Sequence, residues 1–262
     1  MSSLLYALNH AVLWQREIRV WNRSVRAASL DRLVFLCLHR LGWMGGEEDR
    51  LLRRLIEPGM TIIDVGANIG LYSLRLASLA GATGCVYSFE PEPNLFAALV
   101  ENCATNRATN VVPFQYAAGN SNNRATFRRS AFNSGNNSLG GRGGGSVEVE
   151  VARVDDVLPV VAAQFIKVDV QGHELAALSG MERVLASSPA VRVLFEFWPS
   201  GLRAAKTEPK ALLTFFAERG FTIYSIEDSR FTELTDSTLL IQKMGARRYT
   251  NLLASRTGVP TS

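Results

Sequence analysis

From residue 61 onward, short β-branched and aromatic runs alternate with longer stretches of helical period. The runs are TIIDV, CVYSF, VVPFQY, FIKVDV and VRVLFEF, and between them lie LYSLRLASLA, PNLFAALVENCATN and ELAALSGMERVLAS. Such alternation is the signature of a parallel sheet covered by helices on both faces. A further helix is expected from Pro209 to Arg219. The last two runs, FTIYSI and STLLIQ, are close in sequence and separated by turn-prone residues, so they are expected to pair antiparallel at one sheet edge.

Upstream, residues 1–58 read as helical. Leu4, Leu8, Ala11 and Val12 recur at helical spacing, with Arg16, Arg19, Arg23 and Arg26 following on one side; Leu30 to Leu41 and Glu47 to Ile56 complete the extension before Pro58-Gly59. Residues 119–146 are rich in Asn, Ser and Gly, a composition without helix or strand preference. The alternating runs Arg124 to Arg128 and Val147 to Val151 flank that loop and are expected to form a hairpin. Its tip is either a tolerated surface insertion or a mobile lid over a site. The organisation expected is a helical extension over 1–58, one α/β domain over 59–245 and a tail over 246–262.

Composition narrows the class. At 262 residues, with 47% apolar and 20% charged positions, the chain is long enough to bury a core without disulfide or metal. Cys37, Cys85 and Cys103 show neither CxxC nor Cys/His ligand spacing, so a reducing compartment, the cytoplasm, is the simpler expectation, and no metal ligand set is discerned. The net charge of +4 is small, acids lie among the bases nearly everywhere, and only Lys167, Lys206, Lys210 and Lys243 are lysine. With no RNP-like or zinc-finger pattern, a nucleic-acid partner is not expected. No apolar stretch reaches the roughly 18 residues of a membrane span. The first segment, interrupted by Asn9 and His10 and preceded by no basic residue, makes a poor signal peptide. Its helix reads first as one packed on the domain body with a solvated arginine face. The alternative is an interfacial or dimerising helix at an anionic lipid surface, which would give peripheral membrane contact or a homo-oligomer.

The segment richest in chemistry is Ile63-Asp64-Val65-Gly66-Ala67-Asn68-Ile69-Gly70, placed after one apolar run and before a helical one. Gly66 and Gly70 allow a sharp turn and a close approach, and the amides opening the next helix offer a positive pole to an anion. The following strand ends in Glu90, well placed to accept hydrogen bonds from the two hydroxyls of a ribose. Dinucleotide folds use GxGxxG to receive a pyrophosphate. This chain has Asp64-x-Gly66-x-x-x-Gly70, and a carboxylate at that turn repels pyrophosphate but complements an ammonium. S-adenosylmethionine, with a ribose, an amino-acid tail and a sulfonium, meets both conditions.

EPGMTIIDVGANIGLYS, VYSFEPEPNLFAALVENCATN, VDDVL, FIKVDVQGHELAALSGMERVL and LFEF follow in that order, and together resemble the FkbM family of class I S-adenosylmethionine-dependent methyltransferases over roughly residues 47–225. The resemblance implies a Rossmann-like, seven-stranded, mostly parallel sheet with one antiparallel edge strand and helices on both faces. It also implies that Asp64, Gly66, Asn68 and Gly70 hold the methionine part, Glu90 the ribose, and Ala117 and Ala118 lie near the adenine. Asp169 is expected to face the methyl group. Where many members carry Glu-Gly-Ala-Glu, this chain has Gln171-Gly172-His173-Glu174, which removes one negative charge and adds an imidazole.

An acceptor alcohol must lose its proton around the time of attack, which asks for Asp169, His173 or Glu196 as base. His173 is equally a solvated residue at a helix start, and Glu196, closing an apolar run, is equally a capping or ion-paired acid. Phe197 and Trp198 either stack on a sugar ring or pack the rim. Asp155 and Asp156 read as the start of a short helix. The expected reaction is O-methylation of a hydroxyl on a sugar, glycan or polyketide-like acceptor. N-methylation of a small amine or peptide, or cofactor binding without turnover, are the alternatives.

Overall fold

The structure is a computed structural model, and it describes residues 18–21, 23–26, 46–128, 138–139, 146–245 and 249–259. Its centre is an eight-stranded sheet. Five consecutive strands pair in parallel: β3 (Thr61–Val65), β4 (Cys85–Phe89), β5 (Val111–Phe114), β10 (Phe165–Val168) and β11 (Arg192–Phe197). Beyond β11 come β14 (Thr250–Ser255), antiparallel to both its neighbours, then β12 (Thr222–Glu227) and an edge strand β13 (Arg230–Glu233). The order is β13-β12-β14-β11-β10-β3-β4-β5. Helices α2 (Leu71–Ala80), α3 (Pro93–Thr105), α5 (Glu174–Ser179), α6 (Glu182–Ala186), α7 (Pro199–Ala204) and α8 (Pro209–Glu218) connect the strands, and α1 (Glu47–Leu55) precedes them.

The α/β class and the parallel core are as expected, but three details differ. There are eight strands rather than seven, and two of them are reversed: the edge strand β13, as expected, and β14, which lies inside the sheet. It comes from residues 246–262, expected as a tail, and Leu252, Leu253 and Ala254 are fully buried there. STLLIQ is not a strand but part of helix α9 (Ser237–Met244), started by the Asp236 carboxylate, which accepts the Leu239 N–H at 2.9 Å. The antiparallel partner of FTIYSI is instead β13, reached through Asp228 and Ser229 at φ 50° and 58°. Two consecutive left-handed residues make the tight turn that matches the twist of a two-stranded ribbon.

The hairpin expected around the Asn/Gly-rich loop is present. β7 (Asn123–Arg128) pairs with β9 (Ser146–Ala152), and with β6 (Ala117–Ala118) and β8 (Ser138–Leu139) these form a second sheet of order β6-β9-β7-β8. The rest of the loop, and so any lid, lies outside the described residues. So do the expected first helix up to residue 17 and the one from Leu30 to Leu41. Residues 18–20 and 23–25 are not helical: β1 (Ile18–Val20) and β2 (Arg23–Val25) pair antiparallel and are latched to α3, where the Asn102 and Asn106 side-chain oxygens accept the Arg26 and Ser24 N–H groups at 2.8 and 3.1 Å. Two asparagines matched to a strand's amides outweigh the helical spacing of the arginines. Among the described residues no helix is long and apolar enough to cross a membrane.

Alternation along the parallel strands sorts the core into two layers. Ile63, Val65, Ile166, Val168, Val193, Phe195 and Phe197 face α5 to α8, whereas Ile62, Phe165, Leu194 and Leu253 face α1 to α3. The same period of two puts Asp64, Lys167 and Glu196 on the α1–α3 face. Every polar side chain of the strand interiors discussed below therefore opens toward one layer.

Asp155 does begin a short helix, α4 (Val154–Val157), as expected, but its carboxylate also caps another one. It accepts the Arg183 and Val184 N–H groups of α6 at 2.9 and 3.0 Å and is buried. Asp155→Ala leaves two buried amides without a partner. It is expected to lower stability by about 1–3 kcal/mol, a fall in Tm of several degrees at this size, checked by thermal denaturation.

Candidate active site

Strand β3 lies between β4 and β10, and the chain runs outward through β4 and β5 before returning to β10 on the other side. This reversal of direction leaves a crevice at the carboxyl ends of β3 and β10, the place where open α/β sheets bind ligands. Asp64, Glu90, Asp169 and Glu196 all occupy carboxyl ends of neighbouring strands here.

The β3–α2 loop is pinned at this point. Gly66 and Ala67 donate their N–H groups to the Phe89 carbonyl, both at 3.0 Å, and Asn68 donates its N–H to Glu90 Oε2 at 2.9 Å. Gly66, Asn68 and Gly70 have φ of 85°, 53° and 87°. A Cβ on Gly66 would stand 1.9 Å from the Asp169 carbonyl oxygen, and one on Gly70 would stand 2.5 Å from Leu99 Cδ1. The close approach expected of these glycines is thus made to the end of β10 and to α3, which locks the loop against both.

The acids sit at graded depth. Asp64 is fully buried beneath the loop: its Oδ2 accepts the Ser73 hydroxyl at 2.7 Å, Ser73 accepts Ser88 at 3.0 Å, and Oδ1 has no partner. Burial raises its pKa, with Lys167 and Ser73 opposing. Glu90 is buried with both oxygens engaged, Oε1 accepting the Glu92 N–H at 2.9 Å, and burial pushes it up to about 7. Asp169 is the open one, its side chain 37% exposed.

Lys167 binds this group together. Its ammonium donates to Asp169 Oδ2 at 3.1 Å, lies 4.4 Å from the centre of the Tyr72 ring and is itself buried. Burial pulls its pKa down, but Asp169 and Asp64 outweigh that and raise it. Tyr72 in turn is hydrogen-bonded to Glu48 of α1, and burial with the Glu48 charge drives its phenol upward. Nothing in the motif itself singled out Lys167, although a lysine inside the buried run FIKVDV was the available signal.

Gln171 ties two strand ends. Its amide Nε2 donates to Asp169 Oδ1 at 3.2 Å and to Glu196 Oε2 at 3.1 Å, from a backbone at φ 54°. Glu196 is nearly buried, and its pKa is pushed up to about 8 by burial and by Asp169 and Glu174. Glu174, fully buried, accepts the Gly172 N–H at 3.0 Å through Oε1, keeps Oε2 without a partner, and is raised to about 7 by burial. His173 is half-buried at the N-cap of α5, and its side chain makes no capping bond to that helix.

Other expected residues lie elsewhere. Ala117 and Ala118 are buried in β6, paired with Val151 and Ala152 of β9, and sit in the seam between the two sheets. Phe197 is fully buried core. Trp198 lays its ring on α7, where a Cβ on Gly201 would be 2.2 Å from a ring carbon. Phe197 therefore packs the fold, whereas Trp198 packs on α7 and remains partly exposed.

The family model described as the methyltransferase FkbM domain matches residues 64–223. A curated relative, the hexuronic acid methyltransferase AglP of Haloferax volcanii, is 32% identical over 153 residues, which are 56% of this chain and 62% of that one. The chain thus spans less than two thirds of that relative's length. Among solved structures, the O-methyltransferase TomG of Streptomyces achromogenes, in complex with SAM, is similar at a TM-score of 0.51 and 16% identity, covering 89% of this chain and 92% of that one. The chain belongs to the FkbM methyltransferase family, on a sheet of class I methyltransferase type.

Proposed function

We propose that the protein transfers a methyl group from S-adenosylmethionine to a hydroxyl group of a sugar or glycan. The carrying observation is the row of acids on one sheet face at the β3/β10 crevice, beneath a pinned glycine loop, in a chain of this family. The sugar acceptor is supported by the relatedness to AglP.

The residues present suit such a cofactor. Glu90, held rigidly by two backbone amides, has lone pairs left for ribose hydroxyls. Asp64 retains a buried oxygen without a partner, and the excess of carboxyl groups over the single Lys167 ammonium favours a cationic ligand. Asp169, half open, is the acid that a ligand in the crevice meets directly, while Asp64 acts from beneath the loop through its charge. Ala117 and Ala118 would border the adenine only from the seam behind β5. S-adenosylmethionine supplies a methyl already activated on sulfonium, so the protein's work is alignment, exclusion of water and removal of one proton. Glu196 is the favoured base: a carboxyl with a pKa near 8 is basic enough to take a proton from a bound hydroxyl, and Gln171 holds its other oxygen in place. Asp169 and His173 are the other candidates.

Isothermal calorimetry tests the cofactor. Asp64→Ala and Glu90→Ala are each expected to weaken S-adenosylmethionine binding by roughly 10- to 100-fold, the first through the loss of a buried charge beneath the loop and the second through the loss of ribose contacts. Wild-type affinity in both variants would sink the assignment. Transfer of labelled methyl to a panel of glycosides, polyols and amines then reports whether the acceptor atom is oxygen or nitrogen, and whether turnover occurs at all.

A further inference from the structure

Beyond the carboxyl end of β11, the reversed strand β14 brings in a residue from the far end of the chain. Glu196 pairs with Asn251 and Phe197 with Thr250, and Tyr249 is the residue immediately before β14, in line with it. Directly paired residues share a face and the period along a strand is two, which puts Glu196, Asn251 and Tyr249 on the same side of the sheet, with Tyr249 diagonal to Glu196. A diagonal neighbour in an antiparallel pair lies roughly 7–8 Å away, close enough for one small ligand to touch both side chains.

Tyr249 is 66% exposed. Among the described residues the other exposed large apolar side chains, Val100, Val112, Val160 and Leu239, are aliphatic, and single ones are normal on any surface. An aromatic ring left open beside a buried acid at a ligand crevice is different. Partial burial and then the charges of Glu196, Glu48 and Asp169 raise the pKa of its phenol, which sets acids from β11, α1 and the end of β10 around it and keeps it neutral. The open face of the ring is the electron-rich surface that the C–H groups of a sugar ring meet favourably.

We infer that Tyr249 is the acceptor platform: its ring takes the apolar face of a pyranose and thereby brings one ring hydroxyl to Glu196. This rests on the sugar-methylation reading above and adds to it the wall against which the sugar lies. Trp198 is more covered than Tyr249, being partly buried with its ring against Gly201 of α7.

The probes are methyl β-D-glucopyranoside and its 6-uronic acid, with labelled S-adenosylmethionine as donor. Tyr249→Ala is expected to raise KM for whichever glycoside the wild type methylates by roughly tenfold, with kcat within twofold. The calorimetric affinity for S-adenosylmethionine and the Tm should stay unchanged, because the side chain lies mostly outside the core. Tyr249→Phe and Tyr249→Trp are expected to restore a near wild-type KM, whereas Tyr249→Leu, apolar but without a ring face, is expected to behave as alanine does. An unchanged KM in Tyr249→Ala, or full rescue by leucine, overturns the platform and leaves the methylation reading standing. If the wild type binds S-adenosylmethionine yet methylates neither glycoside while labelling an amine or a polyol lacking a ring, the sugar reading falls and the platform falls with it.

Discussion

Gly66→Ala should bind S-adenosylmethionine more than about 100-fold less tightly than the wild type, with a lowered Tm, when both are compared by calorimetry and thermal denaturation. Two costs coincide at this position. A φ of 85° disfavours any L side chain by about 1–2 kcal/mol. The added Cβ would also lie 1.9 Å from the Asp169 carbonyl oxygen, an overlap that only a backbone shift can relieve. The shift moves the loop off Phe89 and Glu90, or moves the β10 end that carries Asp169, and either way the cradle and its acids part. Gly81→Ala is the control, since its φ is 68° but a Cβ there has open space. It should cost only the backbone strain and leave binding intact. If Gly66→Ala binds as tightly as the wild type, the glycine loop is not the cofactor's cradle.

Glu196→Gln should lower kcat by roughly 10²–10⁴ while leaving the affinity for S-adenosylmethionine within a few-fold, the signature of a lost general base. The pH dependence supplies the sign. A base works deprotonated, and with its pKa near 8 the wild-type rate should rise about tenfold per pH unit below that value and level off above it. At pH 7 only about one molecule in ten then carries Glu196 in the ready form. In Glu196→Gln that limb should vanish from the residual rate. Asp169→Asn and His173→Ala, measured alongside, separate the candidates. Normal turnover in all three variants would place the proton transfer elsewhere.

The parallel core was legible from local pattern, whereas most of the misreadings turned on partners distant in sequence. TIIDV, CVYSF, FIKVDV and VRVLFEF are short apolar runs bounded by glycine, proline or charge, and each is a strand of the parallel core. STLLIQ and TNLLAS are nearly indistinguishable by composition, yet the first is helix α9 and the second is β14. The difference lies in the Asp236 cap and in the gap between β11 and β12, and only the cap is adjacent in sequence. An apolar run of that length does not by itself choose between helix and strand. The site divides in the same way. Acids closing apolar runs put Asp64, Glu90, Asp169 and Glu196 at strand ends on inspection, because strand polarity and alternation are local properties. That Lys167 stands between Asp64 and Asp169, that Gln171 spans to Glu196, and that Tyr249 returns from the far end depend on which strands lie side by side. The pairing of Ala117 and Ala118 with β9 likewise depends on strands distant in sequence.

The place of β14 has a consequence for how the chain matures during synthesis. The strands from β3 to β11 lie within residues 61–197 and can assemble as soon as they emerge, whereas β12 bonds to that body only through β14. At roughly 5–20 residues per second, the ribosome makes β12 some seconds before β14 follows it. During that interval β11 and β12 each present an unpaired edge, the surface most prone to stray pairing with another chain. The hairpin from β12 to β13 covers one side of β12 at once, and the short, capped helix α9 then carries the chain back to fill the remaining slot.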